Sequence, residues 1–447
     1  MAAVFSFVFR VFPILPLLMS ASFFPGSLQA QSLIRDADIE HGLRQLARPL
    51  VTAAGLSPNR MQILLVNDDR MNAFVVDTKH VFIHSGMVLR LDSAPQLQSV
   101  IAHELAHIAN GHLSRRVSNM KAARSGAGIG LLVALAAAAA GAGEAAAGLA
   151  IGSQGAALQS FLAHTRAEEA SADQSSVNYL TSAGIDPRAA SEVLERFVGQ
   201  DALSVSRQDP YVRSHPLSRD RMRALSNAAA SKPRFEPDAD HQYWFDRARG
   251  KLGAFIRPPA YTLRQVGNQT GHVADMQRAV AHFRDRNIDD AIRYIDRALS
   301  ERPEDPFLME LKGQILFDSR RYGPAIETYA EAVALAPRHP LILAGYGRAL
   351  LATDTQANNT KALEILQQAR ARDRLNARLL RDLAMAYARA GDNAMASLST
   401  AERYALQGRL GDARVHAARA AGALPRGSTP WNRAQDILTA AERVSRR

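Results

Sequence analysis

Two histidines four residues apart, His103 and His107, stand with Glu104 in a stretch that is otherwise almost wholly apolar. Leu97, Val100, Ile101, Leu105 and Ile108 recur at helical spacing, and the pattern predicts one helix from about Pro95 through Val117. Ala102 and Ala106 leave that helix few polar positions, so the fold must bury it. A buried helix that carries His, Glu and His needs partners for them, because unpaired polar groups in a core are costly. Residues four apart on a helix project from the same side, with roots about 6 Å apart. Both imidazoles can therefore reach one tetrahedral zinc ion, expected at one Zn2+ per subunit. Glu104 follows the first histidine and sits where a carboxylate can take a proton from water.

Three protein donors are the usual complement of a catalytic zinc, so a third must come from elsewhere. One extended histidine signature would require Gly at 110 and His at 113, but the chain has Asn110 and Leu113, with His112 one residue out of register. The other route is a glutamate on a later helix with an acidic residue one turn beyond. Glu169 and Asp173 lie four apart in Glu169-Ala170-Ser171-Ala172-Asp173 and share one helical face, with Glu168 as the competing ligand. Asp173 would accept a hydrogen bond from the outer nitrogen of a ligand histidine and so fix its tautomer.

The segment 1–30 reads as a secretory signal peptide cleaved near Ala30. Arg10 is its one charge, and an apolar run broken by Pro13 and Pro16 ends on Gly26-Ser27-Leu28-Gln29-Ala30. The chain has no cysteine, which excludes disulfides, a cysteine nucleophile and thiolate metal ligands alike. A formal charge of +11 favours anionic partners such as acidic lipid or acidic substrate segments. The Arg residues are spread along helices, so no nucleic-acid partner is expected. An amphipathic helix is expected from Ser32 to about Ala54. Short β-like runs follow at Gln62–Val66, Ala73–Val76 and His80–Ile83. A further helix is expected over Phe161–Leu180. The Gly/Ala tract from Gly126 to Gly155 is long enough to cross a bilayer but only weakly apolar, and Glu144 interrupts it. It reads as a helical hairpin beside the site, with peripheral membrane contact.

Beyond about position 270 the chain repeats itself. Asp289-Asp290-Ala291-Ile292 ending at Pro303 recurs as Gly323-Pro324-Ala325-Ile326 ending at Pro337, with the same step for the alanine and the proline. Degenerate copies start near Ala362 and at Gly411-Asp412-Ala413. A 34-residue period, with small residues where paired helices touch and proline at the exit, resembles the tetratricopeptide repeat. Such solenoids present a concave surface for peptides or partner helices. Residues 1–30 are thus expected as signal peptide, 31–231 as a metallopeptidase domain, 232–270 as a connecting segment and 271–447 as the repeat domain.

With these motifs in view, the stretch from Leu33 to about Leu225 resembles the gluzincin peptidases that include the CAAX prenyl endopeptidases and HtpX. More closely, it is similar to their exported members with C-terminal tetratricopeptide repeats. The family's Asn-Ala-Phe segment appears as Asn72-Ala73-Phe74 and its His-Pro element as Ser214-His215-Pro216. Pro95-Gln96-Leu97 departs from the family, in which an acidic residue often precedes the Leu. The resemblance implies an α+β gluzincin-type domain, mostly helical with a small sheet, followed by an all-α solenoid. It implies His103, His107 and Glu169 as zinc ligands, Glu104 as the proton carrier, and Asn72, Ala73 and Phe74 as an edge strand that pairs with extended substrate. For His215 it implies gating, either as a plug on the metal or as a donor to the developing oxyanion. The activity implied is that of a periplasmic zinc metalloendopeptidase acting on misfolded or stalled envelope proteins. The repeats would offer a contact to outer-membrane assembly machinery. The rival reading is a chaperone or assembly scaffold with a dormant peptidase. An aminopeptidase would need a group to capture the substrate's amino terminus, and the sequence offers no candidate.

Overall fold

The computed structural model describes residues 33–116, 164–200, 203–204 and 207–445. The expected signal peptide and the Gly/Ala tract lie outside the described residues. Among the described residues no helix is long and apolar enough to cross a membrane.

A four-stranded sheet with the order β1-β2-β4-β3 forms the floor of the N-terminal domain. Its strands are β1 Leu33–Ile34, β2 Gln62–Val66, β3 Ala73–Val75 and β4 His80–His84. β2 and β4 run parallel, while β1 and β3 pair antiparallel on the two edges. The sequence places β2, β3 and β4 within a residue of their ends but reads Leu33 and Ile34 as helix. They pair instead with Leu65 and Val66, and helix α1 begins at Ala37 behind an Asp36 cap. Two apolar residues before a capping Asp carry no period, so the strand has no signature of its own.

Helix α1 (Ala37–Ala53) and helix α3 (Ala94–Ala109) pack across the sheet, after the short α2 (Ser85–Arg90). Leu43, Leu46 and Leu50 of α1 meet Leu97, Val100, Ile101 and Leu105 of α3 in one core with the strand residues. Helix α3 stops earlier than its apolar pattern predicts. Asn110 caps it and Gly111 takes φ +70°, a left-handed turn that favours glycine, before residues 112–116 resume helical geometry. Against α3 lie α4 (Arg166–Ser182) and α5 (Arg188–Glu195), and after the single turn α6 (Pro210–Ser214) comes α7 (Arg219–Ala230), which packs on α4 and α5.

Helix α8 (Ala239–Ile256), in the stretch read as a connection, buries Phe245, Ala248 and Leu252 in the N-terminal core. After α9 (Pro259–Val266) come ten helices in five pairs: α10 His272–Arg284 with α11 Ile288–Glu301, α12 Pro306–Asp318 with α13 Tyr322–Leu335, and α14 Pro340–Ala352 with α15 Gln356–Arg372. The last two pairs are α16 Ala377–Arg389 with α17 Asn393–Leu406, and α18 Leu410–Ala423 with α19 Thr429–Ser445. The small residues singled out by the repeat, Ala291, Ala325, Ala362 and Ala413, are all fully buried. The first helix of each of the first four pairs exits through a left-handed residue: Arg286, Arg320, Asp354 and Gly391. The pair α16–α17 is the one the sequence misses. Helix α15 before it is longer than its counterparts α11 and α13, and the extra length throws the period out of step.

The repeats hold the N-terminal domain through α1 and α8. Arg247, 1% exposed, reaches Asp38 at 2.7 Å and Asp305 at 2.6 Å. Lys251 reaches Asp36 at 3.0 Å, and Arg35 bridges Glu40 to Asp373. Ala37 packs among Phe307, Ala332, Leu341 and Ile342 of the repeats. Removing one partner from a buried ion pair leaves the other charge uncompensated, at about 3–5 kcal/mol. Arg247→Met, which leaves Asp38 only the more distant Lys251 and Asp305 only the amides it caps, should lower chain stability by about that amount in urea titration. A midpoint equal to wild type would mean that this junction holds nothing together.

Candidate metal centre

His103, Glu104, His107, Glu169 and His215 are buried together between α3, α4 and the loop after α6, and Glu168, the competing ligand, is not among them. His103 is 4% exposed, and Glu104, His107, Glu169 and His215 are at 0%. On α3, the His103 and His107 Nε2 atoms lie 3.1 Å apart. Glu169, from the first turn of α4, reaches both, at 3.4 Å from each Nε2. Its register is fixed by a capping box: the Thr165 hydroxyl accepts from the Glu168 amide, and the Glu168 carboxylate accepts from the Thr165 amide at 3.0 Å. The cap also separates the two glutamates. Glu168 faces Thr165 and Arg116, while Glu169 faces the histidines.

Asp173, one turn further on, stands 3.0 Å from His103 Nδ1. Arg221 of α7 closes the group. Its Nε and Nη2 donate to the two Asp173 oxygens at 2.7 and 2.9 Å, and its Nη1 lies 2.7 Å from Glu169 Oε2. Nη1 also donates to the carbonyls of His215 and Pro216. Sequence reasoning misses Arg221. Its one signal is Ser218, which caps α7 by accepting from the Arg221 amide and so sets that residue one turn past the His-Pro element.

His215 enters from the end of α6. Its Nδ1 is 3.0 Å from Glu169 Oε1 and 3.3 Å from His103 Nε2, and its Nε2 is 3.3 Å from Glu104 Oε1. The same Nε2 lies 3.4 Å from the carbonyl oxygen of Ala73, on edge strand β3. Asn72 precedes that strand. Its backbone carbonyl accepts from the His84 amide, and its side chain accepts weakly from the Ser214 hydroxyl. Phe74 stacks on Phe82 inside the core, so of this segment the backbone rather than the rings borders the cleft.

The donors fit a divalent cation. His103, His107, Glu169 and His215 each offer one atom, all within 4.8 Å of one another. Ligands of a tetrahedral zinc at about 2.0–2.1 Å stand about 3.3–3.4 Å apart, close to the separations found here. Neither oxygen of buried Glu104 accepts a hydrogen bond. Lone pairs that face each other in a closed core call for a positive centre.

The electrostatics are consistent with that requirement. Burial raises the Glu104 carboxyl above its ordinary range, and His215 and His103 offset only part of the rise. Burial pushes Glu169 the same way, but His215, Arg221 and His103 outweigh it and hold the carboxyl well below the usual range. Asp173 is lowered against its burial by Arg221 and His103. Burial alone would lower His103, yet Glu169 and Asp173 push it up to about 10, so a cation at its Nε2 competes with a proton. His107 is pushed well below its ordinary value, chiefly by burial.

Comparison with known proteins agrees with this arrangement. The model of peptidase family M48 matches residues 35–229, the domain that holds all of these groups. Residues 35–229 are a peptidase family M48 domain. Tetratricopeptide-repeat models match residues 276–340 and 310–358. The chain is similar to the β-barrel assembly-enhancing protease of Escherichia coli K12, at 25% identity over 410 residues, 86% of this chain and 83% of that one. The protein of that name from Yersinia pestis is 24% identical over 316 residues, 69% of this chain and 65% of that one. The mitochondrial metalloendopeptidase OMA1 of Schizosaccharomyces pombe is 24% identical over 209 residues, 45% of this chain and 56% of that one. Against the Yersinia and yeast relatives the match therefore spans less than two thirds of their length.

The adjacent glutamates Glu168 and Glu169 give a direct test. Glu169→Ala should abolish stoichiometric metal binding by the purified chain, measured by atomic emission after dialysis. Glu168→Ala should keep the metal and lose the cap and the Arg116 pair, about 1 kcal/mol of stability for the cap. Metal loss in the second variant but not the first would reverse the assignment.

Proposed function

We propose that this chain is a zinc-dependent metalloendopeptidase of the periplasm, cutting unfolded or misassembled envelope proteins that its repeats help to hold. The observation that carries the proposal is the convergence of His103, His107 and Glu169 within an M48 domain, beside a buried Glu104 whose oxygens accept no hydrogen bond. The names of the relatives support outer-membrane β-barrel proteins in assembly as a client class, and the five helix pairs supply a surface for clients or for the assembly machinery. The segment 1–30 supports export with cleavage near Ala30, and the +11 charge supports peripheral contact with acidic lipid.

His103, His107 and Glu169 would hold the metal. A bound zinc would supply Lewis acidity, polarising the scissile carbonyl and acidifying the attacking water. Glu104 supplies the proton traffic. Its carboxylate oxygens carry no competing hydrogen bond, and burial raises their proton affinity toward what a general base needs. One oxygen takes the proton as water attacks the carbonyl carbon, and the same group returns it to the departing amide nitrogen. Asp173 and Arg221 keep His103 oriented throughout. An extended polypeptide would pair with β3 by its backbone, which explains tolerance for many sequences.

His215 occupies the meeting point of the donors and touches the carbonyl of Ala73, where such a strand would lie. This favours the plug over the oxyanion donor: one side chain blocks both the fourth metal position and the edge strand. It also gives the scaffold reading its place. With His215 seated, the protein holds clients without cutting them, and displacement of the 214–216 loop starts hydrolysis.

Glu104→Gln should remove hydrolysis of an unfolded protein by at least about 10²-fold while metal content stays at wild-type level. Cleavage near the wild-type rate would take Glu104 out of the mechanism. For His215→Ala, basal turnover on the same substrate should rise. A fall of about 10²-fold would instead identify an oxyanion donor, and unchanged kinetics would exclude both roles.

A further inference from the structure

Beside the metal centre lies a second buried histidine pair for which the reaction has no use. His107 Nδ1, the nitrogen facing away from the donors, is 2.8 Å from His112 Nδ1. His112 is 1% exposed. Two imidazole nitrogens at that distance must share one proton, because two bare lone pairs or two N–H groups would repel. We infer that His112 is a positioning residue for the metal centre: it accepts the Nδ1 proton of His107 and thereby holds the His107 Nε2 lone pair toward the cation. The inference rests on the zinc reading proposed above.

The direction of the shared proton follows from the other side of the ring. His107 Nε2 faces His103 Nε2 and Glu169 Oε1 among the donors. A ring that binds a cation through Nε2 carries its proton on Nδ1, so His107 donates and His112 accepts. His112 is then neutral, with its own proton on Nε2. Each histidine ligand thus has an acceptor behind it: Asp173 for His103 and His112 for His107. Ligand histidines ordinarily donate their outer N–H to a carboxylate, a carbonyl or water, and an uncharged imidazole serves the same purpose.

The backbone is shaped for this contact. On an uninterrupted helix, a residue five positions after His107 would point about 140° away from it. The left-handed turn at Gly111 brings the chain back instead, so that the His112 ring meets the His107 ring edge-on. Asn110 pins the turn to α4 through the hydroxyls of Ser171 and Ser175, at 3.0 and 3.1 Å. His107, His112 and His164 also lie close enough together to suggest a second cation. Two features argue against that use. The Arg116 guanidinium sits 2.6 Å from His164 Nδ1 and brings a positive charge to the spot, and His107 Nδ1 is already engaged with His112.

The test compares zinc affinities of the metal-stripped full chain by competition with a chromophoric chelator, for wild type, His112→Leu and His112→Asn. Asn places Oδ1 where the histidine has Nδ1 and preserves the acceptor, whereas Leu removes it. His112→Leu should bind zinc about 10–100-fold more weakly, and His112→Asn should return to within about threefold of wild type. Equal binding by wild type and His112→Leu, or equal weakening of both variants, would overturn the inference. Wild type that binds no zinc would instead overturn the metal reading beneath it. Should His112→Leu fail to fold, histidine-selective 15N NMR of the zinc-loaded wild type decides. A His107 protonated at Nδ1 and coupled through the hydrogen bond to a second imidazole nitrogen is expected, and protonation at Nε2 would refute it.

Discussion

One buried guanidinium holds the M48 domain's site together. Arg221 spans Glu169 and Asp173, which lie on one face of α4, and donates to the carbonyls of the loop that carries His215. Sinking two carboxylates into a core is costly unless they are paired, and the shared arginine meets that cost for both. It also fixes geometry that sequence spacing alone leaves loose. With Asp173 held, His103 has one orientation, and with Glu169 held, the carboxylate faces the two Nε2 atoms rather than solvent. α3, α4 and α7 are locked together at the point where chemistry is expected.

The same junction also holds His215 among the donors. His164 donates its amide to the Ser214 carbonyl and stacks on the ring of His107 at 3.6 Å. His215, one residue further, is therefore tied on one side to the segment that caps α4 and on the other to Arg221. Tyr211 and Val212 before this loop and Leu217 after it are anchored in the core, and Tyr211 and His164 pack on the His215 ring. The repeats grip α1 and α8, which pack on the far elements of the same domain, through Arg247, Lys251 and Arg35. The repeats are thus mechanically connected to the M48 domain, through helices that share its core.

Much of this was legible in the residues. His103 and His107 announce themselves because a polar pair on an otherwise apolar helix has few explanations. Glu169 and Asp173 follow from a single helical turn, and the repeat follows from the matched recurrence of Ala291 and Pro303 as Ala325 and Pro337. Features set by tertiary contact were not legible. β1 is two residues long and becomes a strand only because Leu65 and Val66 offer an edge. Arg221 is one of many arginines, distinguished by a partner 48 residues earlier in the chain. The pattern that predicts α3 runs on to Val117 because apolar spacing does not register a left-handed glycine. Gly111 breaks it, and that break is what brings His112 to His107.

The central claim is the location of the metal. Anomalous diffraction at the zinc edge, from crystals of the purified chain, addresses it most directly. A single strong peak per chain is expected, bounded by His103 Nε2, His107 Nε2 and a Glu169 oxygen, with His215 as the fourth neighbour in the closed state. A peak lying instead between His107, His112 and His164, or no peak from zinc-saturated protein, would contradict it.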